Sequence, residues 1–243
     1  RLGAAGRRTM IVTAQVDGAD GEPVLDRDNL AVLRDLRPRG LLAVGTIPDL
    51  GDLEELIVVT PTVVASAIDA TVATVGAVRS DDEAGVSLVV DHLVSQGARR
   101  IAFVGGDGGT VSASRERAFL AATARHGLTN AWVERADFTE AAARLAAERM
   151  LVANRIPEAV VAVNDLAAIG VITALEAAGA SVPGDCRVSG YDDSALAAIP
   201  RISLTSVDPD NRRIGREAAG LLLSSEDPFR SAGELLIPPR LVV

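Results

Sequence analysis

Apolar and polar positions alternate along this chain in blocks rather than residue by residue. Short β-rich runs recur at MIVTAQV (10–16), GLLAVG (40–45), PTVVASA (61–67), TVATVGAV (71–78), RIAFVG (100–105), AVVAV (159–163), CRVSGY (186–191) and ISLTSV (202–207). Between most of them the spacing shifts to the helical period. Ser80-Asp-Asp-Glu83 reads as a capping box, after which Val86, Val89, Val90, Leu93 and Val94 form one apolar stripe that stops at Gly97. Further helices are expected over 113–126, ending at Gly127, and over 166–178, ending at Gly179. Apolar strands alternating with helices predict an α/β protein with parallel sheets covered on both faces.

In such sheets ligands sit beyond the carboxyl ends of the strands. The residues there are polar: Arg79 to Asp82, Gly105 to Arg115, Asn164-Asp165 and Asp192-Asp193. The glycine-rich turn after RIAFVG invites a nucleotide reading. A dinucleotide loop, however, needs G-x-G-x-x-G opening the helix, and here Gly106-Asp-Gly108 lacks its third glycine while Asp107 brings a carboxylate to the phosphate position. Arg115 is placed by spacing in the first turn of the following helix, where a cation opposes the helix dipole unless an anion or polar ligand is near. Its bland alternative is a surface ion pair with Glu116 or Asp107. Asp165 reads as the N-cap of helix 166–178, leaving Asn164 at the strand tip with a donor and an acceptor. Of Asp192 and Asp193, one is expected to face the ligand and one to cap a helix from Ser194; Asp81-Asp82 invites the same split.

Composition removes several chemistries. All 24 basic residues are Arg, so neither a P-loop lysine nor a Schiff-base amine exists. The net charge of −9 gives a nucleic acid duplex no general reason to bind. A single cysteine, Cys186, excludes an intrachain disulfide and a thiolate cluster, fits a reducing compartment, and reads as core. No His/Cys/carboxylate spacing resembles a metal site, and His92 and His126 fall within or at the end of helices. No run is long and uncharged enough to span a bilayer. No cofactor is expected. The polar set looks like recognition without reaction. Beginning at Arg1 rather than Met, the chain is expected to be part of a longer product.

Four stretches carry a family resemblance: DDEAGVSLVVDHLVSQGARRIAFVGG, SASRERAFLAATARHGL, AVVAVNDLAAIGVITALEAAGASVPGDCRVSGYDDSALA, and LTSVDPDNRRIGREAAGLLL followed by LLIPPRLVV. In this order and spacing the chain resembles the effector-binding domain of the lactose/galactose repressor (LacI/GalR) family of bacterial transcription regulators. Ser112, Arg115 and Phe119 are in register with the family's S-x-x-R-x-x-G-F helix. The resemblance implies two similar lobes of the periplasmic-binding-protein-like type, each a parallel doubly wound sheet flanked by helices. Residues 1–98 plus 209–228 would form one lobe, and 99–208 plus 229–243 the other, with three crossovers near 98, 208 and 228. Helices 82–96 and 210–225 would belong to the first.

It further implies a sugar or nucleoside-like effector between the lobes, hydrogen-bonded by Arg115, Asn164 and Asp192, with Ser112 also a ligand-binding residue, Phe138 stacked over the effector, and Asp81 and Asn211 contributing from the first lobe. Partners would be a second copy of the chain and operator DNA, in a cytoplasmic repressor that is not an enzyme. The sequence departs from the family in lacking a counterpart of the first strand before Arg7, and in having Ala118 for a glycine and Ala98 for a histidine. The helix-turn-helix headpiece is absent, so DNA contact is not expected of this segment alone. Rival readings are a solute receptor of a sugar transporter, which upstream sequence would distinguish, and a small α/β enzyme, for which no nucleophile–base pair is visible.

Overall fold

A computed structural model describes residues 2–13, 15–17, 23–45, 53–66, 76–224 and 233–243. In chain order the elements begin with β1 (Gln15–Asp17), β2 (Pro23–Leu25), α1 (Arg27–Leu36), β3 (Leu41–Val44), α2 (Glu54–Ile57), β4 (Thr62–Ala65) and β5 (Gly76–Ser80). Next come α3 (Asp82–Ser95), β6 (Ile101–Gly106), α4 (Thr110–Arg125), β7 (Trp132–Ala136), α5 (Glu140–Val152), β8 (Ala159–Ala162), α6 (Asp165–Ala177) and β9 (Arg187–Ser189). The last are β10 (Ser206–Asp208), α7 (Asn211–Ser224), β11 (Glu234–Ile237) and β12 (Arg240–Val242).

Packing divides the chain into two compact units, Arg1–Ser80 with Asn211–Ile237, and Asp81–Asp210 with Pro238–Val243. In the first unit the strands order as β11-β5-β4-β3, all parallel. Ile214 and Ala218 of α7 cover this sheet by packing on Val63, Ala65, Val78 and Ile237. Leu30 of α1 joins Leu56 and Ile57 of α2 in a separate small core with Ala43 and Val64.

The second unit holds the parallel sheet β7-β6-β8-β9. Its central strands are apolar throughout, because helices cover both faces and no position looks at water. Ile101 to Val104 of β6 and Ala159 to Ala162 of β8 are all buried. α3 packs beside α4, and α5 beside α6. β10 continues the sheet through the bridge from Thr205 to Ser189, and pairs antiparallel with β12. Trp132, the chain's one tryptophan, lies at the start of edge strand β7, with the Arg155 guanidinium 4.4 Å from its ring centroid.

Several expectations change. The family resemblance puts helix 82–96 in the first lobe, yet by packing α3 belongs to the second unit. Its stripe Val86, Val89, Val90 and Leu93 enters one core with Phe119, Val163 and Tyr191, and it also touches β10 and β12. Residues 10–13 form no strand, and Ile11 is 92% exposed. Of TVATVGAV, 71–75 lie outside the described residues and 76–78 begin β5. Strand β7 and helix α5 are elements that the sequence pattern does not announce. Edge strand β7 carries Glu134 and Arg135 inside its run, and α5 buries mainly alanines, Ala143, Ala146 and Ala147, which make a faint stripe.

Those alanines let α5 approach α6 to backbone contact: a Cβ on Gly170 would stand 2.2 Å from the Glu140 carbonyl oxygen. Gly170→Ala therefore sets a helix-propensity gain of about 1 kcal/mol against an overpacking cost of roughly 1–3 kcal/mol or more. A clash with backbone cannot be relieved by a rotamer change, so the cost wins. Denaturant unfolding should show the variant less stable by about 2 kcal/mol.

Candidate functional site

The chain reverses direction across the second unit's sheet between β6 and β8. From β6 it moves by α4 to β7 on one side, and from β8 by α6 to β9 on the other. The two following helices thus start on opposite faces and leave the carboxyl ends of β6 and β8 open, which is where α/β sheets hold ligands.

After β6 the chain turns through Gly106, Gly108 and Gly109, all in the left-handed region at φ 97°, 87° and 107°. Gly109 is the N-cap of α4, and Ser112 folds its hydroxyl back to accept from the Gly106 amide at 2.8 Å. Helix α4 begins at Thr110, earlier than the spacing indicates, so Arg115 stands in the second turn and the dipole argument no longer applies to it.

Arg115 is not a surface residue. It is 7% exposed, and its ion partners are Asp82 and Asp192 in place of the alternative pairing with Glu116 or Asp107. Glu116 instead accepts from both Nη1 and Nη2 of Arg135, at 2.6 and 3.0 Å. The Arg115 Nε donates to Asp82 Oδ1 at 2.9 Å and its Nη1 donates to the Val163 carbonyl at 2.7 Å. Tyr191 lies flat beneath it, with its ring centroid 3.6 Å from the guanidinium carbon. Asp192 Oδ1 stands 3.8 Å from Nη1, an ion pair beyond hydrogen-bond distance. Burial works against the guanidinium charge, but Asp82, Tyr191 and Asp192 together outweigh it and raise the pKa. Burial pushes the Asp192 pKa up to about 6, against the pull of Arg115 and with the help of Asp165 and Asp82. Its side chain still keeps 42% of its surface open, so the carboxyl can reach a ligand.

Asn164, not Asp165, caps α6: its Oδ1 accepts from the Ala167 amide at 2.8 Å. The Nδ2 donates to the Phe138 carbonyl at 3.1 Å, which leaves the amide one more hydrogen and one more lone pair. Asp165 is the first helical residue and accepts from the Ser194 amide at 2.7 Å and the Ser206 hydroxyl at 2.6 Å. No helix starts at Ser194, so Asp193 caps nothing; residues 195–198 form turns.

The expected split of Asp81 and Asp82 is real. Asp81 is the N-cap of α3, accepting from the Ala84 amide at 3.0 Å, while Asp82 reaches Arg115. The capping box expected from Ser80 does not form: the cap is Asp81, and the residue at the third helical position, Ala84, has no polar side chain to return the bond. Sequence reasoning misses Asp82 as Arg115's partner, although the doubled acid is its signal. Phe138 packs on the core, and its ring lies against the glycine turn, 3.0 Å from where a Gly108 Cβ would be. Asn211 is the exposed first residue of α7 in the other unit. Arg115, Asn164, Asp192, Phe138 and Ser112 therefore share one edge of the second unit, joined through Val163 and Phe138.

The edge offers a guanidinium, an amide, a carboxylate and an aromatic ring. Cys186 is buried, and burial pushes its thiol up to about 12. His126 binds Asp91 at 2.6 Å between α3 and α4. Among the described residues no three His, Cys, Asp or Glu side chains could hold a metal, and no helix is long and apolar enough to cross a membrane.

The periplasmic binding protein-like domain family matches residues 90–243. The HTH-type transcriptional repressor PurR of Aliivibrio fischeri is 32% identical over 148 residues, covering 59% of this chain and 44% of that protein. This chain thus spans less than half of that curated relative. The structure of a LacI transcriptional regulator from a Rhodococcus species superimposes with a TM-score of 0.83 at 36% identity, over 90% of this chain and 81% of the other. A LacI family regulator from Enterococcus faecium, solved with bound ribose, gives 0.76 at 25%, over 88% and 81%. The chain belongs to the periplasmic binding protein-like domain family, and within it to the LacI/GalR regulators.

Two outcomes follow from the charges. Asp82→Ala leaves a buried guanidinium without its main partner and should cost roughly 3 kcal/mol in chemical unfolding. For Asp192, the folded pKa of about 6 lies above the ordinary 3.8, so the folded state binds the proton more tightly. The unaltered chain therefore loses stability as pH rises through that window and levels off above it. Asp192→Asn should melt higher than the unaltered chain at pH 7, with the difference vanishing below about pH 4.

Proposed function

We propose that this chain is the effector-sensing part of a cytoplasmic transcriptional repressor, and that it binds a small sugar or nucleoside-like molecule at the Arg115 edge without transforming it. The observation that carries this is the buried guanidinium with its half-open partner. Arg115 is fixed by Asp82, Val163 and Tyr191, and Asp192 beside it keeps an open carboxylate. A planar donor, an amide with spare valences and an acceptor suit a ring bearing several hydroxyls, and the Phe138 ring suits its apolar face. The lack of a nucleophile–base pair at this edge supports binding without turnover.

Such an effector acts by making better contacts in one arrangement of the two units than in another, and shifts the balance between them by that difference. In the whole protein the shift would pass through a homodimer to a DNA-binding headpiece outside this chain. Asp81 and Asn211 are held as secondary contacts from the first lobe of the family reading.

A thermal-shift screen of sugars and nucleosides, with ribose as the first probe, tests the reading, because binding to the native state raises the melting temperature. Calorimetry should then show Arg115→Ala and Asp192→Asn each binding the hit at least about tenfold more weakly, the loss of one charge-assisted hydrogen bond. Unchanged affinity in both variants would contradict the site.

A further inference from the structure

Beneath the ligand edge, the turn over 191–194 has an unusual backbone. Asp192 and Asp193 both lie in the left-handed region, at φ 107° and 44°. Non-glycine residues stay there only where their surroundings over-determine the conformation.

Here the surroundings are one buried carboxylate and one buried hydroxyl. Asp165 is 1% exposed and, among the described residues, forms no ion pair. Its Oδ2 accepts from the Ser194 amide at 2.7 Å, and its own amide donates to the Tyr191 carbonyl at 2.9 Å. Its Oδ1 accepts from the Ser206 hydroxyl at 2.6 Å, and that hydroxyl accepts from the Asp193 amide at 3.0 Å. The remaining residue of the turn, Asp192, donates its amide to the Val207 carbonyl at 2.8 Å, next to Ser206 on β10. Every residue of the turn is thus tied by a main-chain group, three of the four through Asp165 or Ser206. The same turn carries both the ring under Arg115 and the carboxylate beside it.

We propose that Asp165 and Ser206 are positioning residues of the ligand edge. They touch no ligand, but they lock the turn over 191–194 and so fix where Tyr191 and Asp192 stand around Arg115. Their importance to the whole protein rests on the reading of this edge as a ligand site, whereas their hold on the turn is measurable without a ligand.

Carbon-13 NMR of the full chain, labelled at aspartate carboxyls and assigned with Asp192→Asn, follows the titration of Asp192. Three charged groups face this carboxyl: Arg115 from α4, Asp82 from α3 and Asp165 from α6. In the unaltered chain the midpoint should lie at about 6. In Ser206→Ala it should fall by about one pH unit toward an ordinary carboxylate, because the loosened turn lets Asp192 into water. Thr123→Ala removes a hydroxyl also buried, but bonded within α4, and should leave the midpoint in place. If Ser206→Ala is too unstable to titrate, Ser206→Cys serves instead: it fills the same space and changes no charge facing Asp192, but offers the Asp193 amide and Asp165 Oδ1 only a weak thiol partner, and it should give the same fall. A midpoint unmoved in the folded variant, or moved equally by Thr123→Ala, overturns the positioning role. Should the midpoint fall while ribose leaves the melting temperature of the unaltered chain unchanged, the positioning role stands and ribose binding is what fails.

Discussion

A buried arginine is tolerable only when its charge is answered, and the second unit is arranged around answering Arg115. Removing a guanidinium from water is costly, and a single carboxylate seldom repays the cost. Here compensation comes from three elements at once: Asp82 from the start of α3, the Val163 carbonyl from the end of β8, and the Tyr191 ring from beyond β9. Each of those elements must therefore be in place before Arg115 can be. The demand adds a buried ion pair to the apolar stripe that binds α3 into this unit. It also ties the chemistry of the edge to the fold: what holds the guanidinium still is what builds the edge.

The outline of the fold is legible in the sequence because both central strands are covered on two faces. A strand buried that way must be apolar at every position, and the uninterrupted run from Ile101 to Val104 meets that requirement. Elements whose burial is partial or small are harder to see. Edge strand β7 mixes Trp132 and Val133 with Glu134 and Arg135, and α5 buries alanines, whose contribution is closeness to α6 and not bulk. Strand β6 and helix α4 can be located from sequence, but the residue at which the helix begins cannot, since a glycine cap leaves no side-chain signature.

At the site, Arg115, Asn164 and Asp192 stand out as polar residues at strand ends and by resemblance. What each does within the fold cannot be read from the chain alone. Adjacent polar pairs, 81–82, 164–165 and 192–193, divide labour between capping a helix and reaching across the unit. Sequence shows that a division exists but not which member takes which part, because the outcome depends on where the helix starts to within one residue. In the pair 164–165 the expected roles are exchanged, since Asn164 caps and Asp165 reaches away; in 81–82 it is Asp81 that caps while Asp82 reaches Arg115. In the third, no helix exists to be capped.

One consequence concerns how the molecule can be watched. Trp132, Tyr191, Phe103, Phe119 and Phe138 all belong to the second unit, and the chain has one tryptophan and one tyrosine in total. Intrinsic fluorescence and near-ultraviolet dichroism are therefore local probes: they register melting of the half that carries Arg115 and stay nearly silent about the other. A single clean optical transition would not establish that the two halves come apart together. Backbone signals, or an indole placed on purpose in the α7 half, would be needed to see whether they do.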